Sequence, residues 1–270
     1  QFLRDSFSGV QHDQQRSYAV IAVDRNSRFI GDVDYPLRKF AQSGSHDHGG
    51  VIHIRIVFQR DRFVLSKGHC VEALYVTLEA KGFLKKEITD TLGKFGSILS
   101  GHPTIEVPGI EVNTGALGHG LPIGVGMALA AKMDKKSYKT FVMMGDGEQG
   151  EGSIYEAAMA GHQYKLDNLV AIIDRNHLQI SGNTEDVMAI EDISARWTAF
   201  GWDVKVMNGD DMEDIVKTID SIDYTNGKPH LIVSNTTKGK GVSYMENIAK
   251  WHHGMPNEEQ YKQALAEIDE

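Results

Sequence analysis

Across its 270 residues the chain is 41% hydrophobic and 24% charged, enough apolar content for one large α/β core with a short appendage. A formal charge of −9 without any basic stripe interleaved with aromatics argues against a nucleic-acid partner, and the sequence offers neither an apolar run of spanning length nor a signal-peptide pattern, which argues against a membrane. Cys70 is the single cysteine, so no intrachain disulfide can form, and a cytoplasmic protein is expected.

Residues 1–60 carry seven arginines and one lysine, whereas residues 61–270 carry three arginines and seventeen lysines. The first segment lacks clear helical periodicity, and its best strand candidate is Tyr18 to Val23. From Asp61 onward the pattern is orderly. Val71 to Ala80 reads as a helix, and Gly115 to Lys132 as a second, rich in Gly and Ala on every side. Thr140 to Met144 reads as a buried strand, Ser153 to Tyr164 as a helix, and Leu169 to Ile173 as another apolar strand. Ile193 to Phe200 is expected to be helical, Trp202 to Val206 a strand, Met212 to Ile222 a helix and Leu231 to Asn235 a strand. Residues 236–257 read as a loop, followed by a helix from Glu258 to Ile268. Strands alternating with helices predict an α/β fold, a parallel sheet with helices on both faces.

Ligands of such sheets gather outside the C-terminal strand ends. Two polar groups fall there: Gly145-Asp146-Gly147 and, thirty residues after Asp146, Asn176. A divalent magnesium ion prefers oxygen ligands and shares them with phosphate. Asp146 offers a carboxylate, Asn176 an amide oxygen and Leu178 its backbone carbonyl. Gly145 and Gly147 let the backbone approach a diphosphate closely. A helix starting near Ser153 would direct its N-terminus toward that charge. This spacing is the diphosphate–metal motif of thiamine diphosphate enzymes.

Several further strings stand in order along the chain: Asp61-Arg62-Phe63-Val64-Leu65-Ser66-Lys67-Gly68-His69, Gly101-His102-Pro103, Thr114-Gly115-Ala116-Leu117-Gly118-His119-Gly120, Tyr164-Lys165-Leu166-Asp167-Asn168-Leu169 and Trp251-His252. From about Asp61 to its end the chain resembles the N-terminal, cofactor-diphosphate-binding section of transketolases. The resemblance implies the thiamine diphosphate-binding fold, with Asp146, Asn176 and the Leu178 carbonyl holding Mg (or Ca or Mn). It implies that His69 and His252 face the cofactor diphosphate and the substrate, and that His102 meets substrate hydroxyls or helps move protons. Gly115 and Leu117 would pack on the aminopyrimidine ring, Gly147 would lie along the diphosphate, and Glu151 would join a hydrogen-bond network between active sites. Gln179 is a weaker candidate near the substrate. The implied reaction moves a two-carbon ketol unit from a ketose phosphate to an aldose phosphate, with thiamine diphosphate doing the carbon chemistry and the catalytic candidates His69, His102 and His252 handling protons.

Other residues are read more plainly. His119, His162, His177, His230 and His253 have no motif support and are expected to be structural or solvated. His253 competes with His252, and His252 is preferred because it directly follows Trp251. Lys238 and Lys240 either approach an anionic group or belong to a solvated loop. Glu148 is expected to be a first-turn acid favoured by the helix dipole, and Cys70 a small core residue.

Two departures from the family pattern stand out. The Ser-Gly-His segment that the family places about thirty residues before the Asp-Arg-Phe run has only Ser43-Gly44-Ser45-His46-Asp47-His48-Gly49-Gly50 as a counterpart, too close to Asp61. Residues 1–60 are therefore expected to be an atypical segment, frameshifted, inverted or replaced, ahead of a diphosphate- and metal-binding domain over 61–270. Neither His46 nor His48 is given a site role. The sequence also stops before the pyrimidine-binding domain of full-length members, so the expected partner is a separate subunit carrying that domain, in an α₂β₂ assembly. The competing readings are a subunit of another thiamine diphosphate enzyme, of the deoxyxylulose-phosphate synthase or 2-oxoacid dehydrogenase kind, and a non-catalytic remnant.

Overall fold

A computed structural model describes residues 60–252 and 254–269. The strand candidate Tyr18–Val23, His46, His48, all of the atypical segment but Arg60, and His253 lie outside the described residues.

Five strands form one sheet: β1 (Arg62–Leu65), β2 (Thr140–Gly145), β3 (Leu169–Arg175), β6 (Asp203–Asn208) and β7 (His230–Asn235). Their order is β1-β2-β3-β7-β6, and every pairing is parallel. The helices are α1 (Val71–Ala80), α2 (Lys86–Thr89), α3 (Gly120–Met133), α4 (Gly152–Gln163), α5 (Thr184–Val187), α6 (Ile193–Ala199), α7 (Met212–Asp220) and α8 (Glu258–Asp269). A small antiparallel ribbon, β4 (Leu178–Gln179) and β5 (Gly182–Asn183), follows the end of β3.

The apolar runs become central strands because both of their faces are covered. Side chains alternate along each strand, so Val142, Met144, Ala171, Ile173, Leu231 and Val233 enter one core beside residues of α3, α4 and α6. Phe141, Val170, Ile172 and Ile232 enter a second core with Ile215 of α7. A third lies under α1, where Val71, Leu74, Tyr75 and Leu78 meet Leu65. Trp197 and Trp202 meet edge to face at 4.7 Å, and the Trp202 indole N–H donates to the Ala158 carbonyl at 2.9 Å. Among the described residues no helix is long and apolar enough to cross a membrane.

Most predicted elements stand within one or two residues of their expected ends. The predicted helix over Gly115–Lys132 is shortened: it begins at Gly120. Gly115 (φ 140°) and Gly118 (φ 81°) adopt backbone conformations closed to an L side chain in a right-handed helix, so the preceding five residues form a loop. Strand β1 has no counterpart among the predicted elements. Four residues leave little room for a periodic pattern, and its register against β2 (Arg62 opposite Thr140, Leu65 opposite Met143) depends on a strand far along the chain. The expected loop 236–257 contains one helical turn, at Ala249–His252.

Candidate functional site

The C-terminal ends of β1, β2, β3 and β7 present Lys67, Asp146, Asp174–Asn176 and Thr236 side by side. The β2–β3 register sets Gly145 opposite Asp174, and the β3–β7 register sets Asp174 opposite Ser234. Asp146, one step beyond β2, is therefore level with the end of β3.

Asp146 is buried, and its carboxylate is fully engaged. Oδ1 accepts the Gly147 N–H at 2.7 Å, capping the turn Gly147–Gly150. Oδ2 accepts from Arg175 Nη1 at 3.0 Å, the His177 N–H at 2.8 Å and Thr184 Oγ1 at 3.4 Å. The Asn176 amide donates from Nδ2 to Asp174 at 3.2 Å, and its Oδ1 accepts the Leu178 N–H at 3.1 Å. Asp174 is bound by Lys67 and by the Thr236 hydroxyl. Burial alone would raise the Asp174 carboxyl, but the Lys67 ammonium and these bonds hold it down to about 2. Burial works against the Lys67 charge as well, and its contact with Asp174 overcomes this and lifts it above the ordinary lysine value.

Positive groups surround this row. Lys238 is half-buried; desolvation and the neighbouring Lys67 push it down, while Asp174 and Asp146 pull the other way. The His69 and His252 rings lie 5.6 Å apart, centroid to centroid. His69 is pushed down to about 3 by burial and then by Lys67, His252, Lys238 and His102, so its imidazole is neutral near pH 7. His102 is exposed, with its ring edge against Gly115: a Cβ placed on that glycine would stand 2.8 Å from His102 Cδ2. The loop carrying Gly115 and Leu117 is anchored by the Thr114 hydroxyl on the Leu65 carbonyl at 2.7 Å and by Ser153 Oγ on the Gly118 carbonyl at 2.8 Å.

The structure thus brings Asp146, Asn176, Lys67, Lys238, His69, His102 and His252 to one end of the sheet. Gly147 lies beside the Gln179 side chain, and Leu178 follows Asn176 in the ribbon. Glu151 is exposed and stands at the entrance to α4. Lys240 is exposed. His230 lies at the opposite end of the sheet, bonded to Asp203 at 3.1 Å.

One reading is overturned. Glu148 is a buried carboxylate, with 2% exposure, and not a surface acid answering to a helix dipole. Its Oε1 accepts from the Ser66 hydroxyl and, at 2.8 Å, from the Gly118 N–H; its Oε2 accepts the Gly145 N–H at 3.1 Å. Burial raises its carboxyl, against the pull of those bonds. It ties the end of β1, the glycine loop and the end of β2 into one unit. Lys67 and Arg175 were also missed as site residues; both are long cations inside apolar-looking strings, and full burial of a cation implies a specific partner.

Can these residues take a divalent cation and a diphosphate? Among the described residues no group of three or more His, Cys, Asp or Glu side chains could hold a metal. A metal here would draw on a carboxylate, an amide and a backbone carbonyl, an all-oxygen set that suits Mg²⁺ and leaves positions for ligand oxygens. Lys67, Lys238 and the neutral His69 supply positive charge and hydrogen bonds for an anion next to that set. The residues fit the pair of groups.

The family described as "Transketolase, thiamine diphosphate binding domain" matches residues 55–267. One of the two subunits of the apulose-4-phosphate transketolase of Phocaeicola vulgatus is 79% identical over 212 residues, covering 78% of this chain and 75% of that protein. The 6-deoxy-6-sulfo-D-fructose transketolase subunit SqwG of a Clostridium species is 41% identical over 212 residues, covering 78% of this chain and 77% of that protein. Among solved structures, the transketolase of Campylobacter jejuni superposes with a TM-score of 0.75 at 34% identity, over 78% of this chain. The match spans 34% of that longer chain.

Proposed function

The chain belongs to the transketolase family, and from that premise we propose that it is the thiamine diphosphate-binding subunit of a two-subunit transketolase that acts on apulose 4-phosphate. The substrate rests on the 79% identity with a subunit named for that sugar phosphate; the relative at 41% carries a different substrate name. Both relatives are named as subunits, which supports a companion chain. We assign that companion the pyrimidine-binding domain, and assign residues 61–270 of this chain the diphosphate and the metal.

Bound thiamine diphosphate supplies the carbon nucleophile that carries a two-carbon ketol unit from a ketose phosphate to an aldose phosphate. This chain's residues bind, orient and handle protons. In our reading Asp146, Asn176 and the Leu178 carbonyl hold Mg²⁺, with Gly147 beside the diphosphate. Lys67 and Lys238 offset the phosphate charge; Lys238, weakened as a cation by Lys67, gains most from an incoming anion. His69, neutral near pH 7, has one N–H to donate and one lone pair to accept. His102 and His252 flank the approach from the glycine loop and from the turn Ala249–His252, and we assign them contacts to substrate hydroxyls and proton transfer. Gly115 and Leu117 take the aminopyrimidine, and the exposed Glu151 reaches toward a neighbouring subunit. We place the protein in the cytoplasm, where sugar phosphates are handled.

The observation that carries this reading is the oxygen set of Asp146 and Asn176 on adjacent strand ends, beside Lys67 and two histidines. The test is reconstitution with the companion subunit, thiamine diphosphate and Mg²⁺, followed by mass spectrometry of the sugar phosphates. The expected product from apulose 4-phosphate is an aldose phosphate lengthened by two carbons. Transfer from other ketose phosphates but not from apulose 4-phosphate would refute the substrate, and cofactor binding without any transfer would refute the catalytic role.

A further inference from the structure

Arg175 ends β3 as one of the most deeply buried side chains of the protein, at 1% exposure, on the same sheet face as Ile173. An interior arginine demands complete pairing, and Arg175 has it. Nη1 donates to Asp146 Oδ2 at 3.0 Å, Nη2 to Glu185 at 2.7 Å, and Nε to Glu191 at 3.0 Å. Glu185 and Glu191 are themselves partly open to solvent, with 32% and 50% of their side chains exposed. The guanidinium fork thus bridges the proposed metal ligand to two carboxylates on the segment between β5 and α6.

The consequence for Asp146 is a division of labour between its oxygens. Oδ2 carries the Arg175 bond together with the His177 N–H and the Thr184 hydroxyl, while Oδ1 has only the Gly147 N–H. A carboxylate loaded in this way on one oxygen resists turning both oxygens toward the same ion. Mg²⁺ requires near-octahedral geometry and suits one oxygen per carboxylate, whereas Ca²⁺ accepts bidentate carboxylates and higher coordination. Partners behind a ligand set its orientation as surely as the ligand itself. The two glutamates offset the arginine's positive charge, which would otherwise repel a metal ion. Lysine could not do the same work: an ammonium is a point charge, without the planar fork that reaches three carboxylates at once.

We propose that Arg175 is a positioning residue that restricts Asp146 to one metal-facing oxygen and thereby sets the site's preference for Mg²⁺ over Ca²⁺. This rests on the metal-binding reading of Asp146 given above. The test measures thiamine diphosphate binding to the full chain with its companion subunit, by calorimetry, while Mg²⁺ or Ca²⁺ is varied. For Arg175→Met the Mg²⁺ concentration giving half-maximal binding should rise about 10- to 100-fold, in line with the loss of a partner behind a ligand. The Ca²⁺ requirement should rise much less, so that the ratio of the two shifts toward Ca²⁺ by about 10-fold or more. Arg175→Lys should shift the ratio in the same direction by a smaller factor, and it decides the matter if Arg175→Met does not fold. An equal rise for both metals would mean that Arg175 only supports the fold, and unchanged requirements would mean that it does nothing for the site; either result overturns the proposal. If the wild-type complex shows no metal-dependent binding at all, the reading of Asp146 fails and this inference falls with it. A metal-dependent wild type beside an unshifted variant sinks the Arg175 proposal alone.

Discussion

The two ends of the sheet carry similar residue types and use them differently. At the N-terminal ends of the strands, His230 pairs with Asp203 at 3.1 Å, Lys139 lies 4.4 Å over the Tyr224 ring, and Asp61 accepts the Lys139 N–H at 2.6 Å. These groups close the end of the core, and their charges stay near solvent; Asp203 keeps 32% of its side chain exposed. At the C-terminal ends, Lys67 and Arg175 are almost completely buried, at 3% and 2% side-chain exposure, and are paired with buried carboxylates. Buried ion pairs are a poor way to stabilise a fold, because desolvation offsets much of the attraction. Two such pairs beside a histidine held neutral mark an end of the sheet arranged for a ligand and not for closure.

Breaking a pair at the ligand end should have the largest effect. Lys67→Met leaves Asp174 buried without its cation, and the expected loss is about 3–5 kcal/mol of stability, read from urea unfolding. A loss below about 1 kcal/mol would mean that water or another cation takes the place of Lys67.

A smaller effect sharpens the contrast through pH. His69 stands near 3 in the folded chain against an ordinary 6.5. Between those values the unfolded chain takes up a proton that folded His69 refuses, so its contribution to stability falls as pH drops through that window. In His69→Gln the decline from pH 6.5 toward 3 should be shallower, by at most about 1.4 kcal/mol per pH unit. An identical acid profile for the two proteins would show that His69 titrates normally in the fold.

The fold was largely legible in the sequence, because central parallel strands such as Thr140–Gly145 and Leu169–Arg175 are apolar runs whose pattern survives without tertiary information. Asp146, Asn176, His69, His102 and His252 were legible from motifs, and the fold gathers them at one end of the sheet. What was not legible depends on partners distant in the chain. Glu148 looks like a first-turn acid until Ser66 and Gly118, from two other segments, are found on its carboxylate. Arg175 reads as the polar end of a strand until Asp146, Glu185 and Glu191 surround it. Gly115 and Gly118 look like close-packing residues of a helix, and only their positive φ shows that they shape a loop.

The most direct test of the account is calorimetric titration of thiamine diphosphate with Mg²⁺ into the chain bound to its companion subunit, comparing wild type, Asp146→Ala at one end of the sheet and Asp203→Ala at the other. The account predicts metal-dependent binding by the wild type, its loss in Asp146→Ala by about 100-fold or more, and wild-type binding by Asp203→Ala, whose cost is about 1 kcal/mol of stability alone. Equal binding by Asp146→Ala and the wild type, or no binding by a folded wild-type complex, would contradict it.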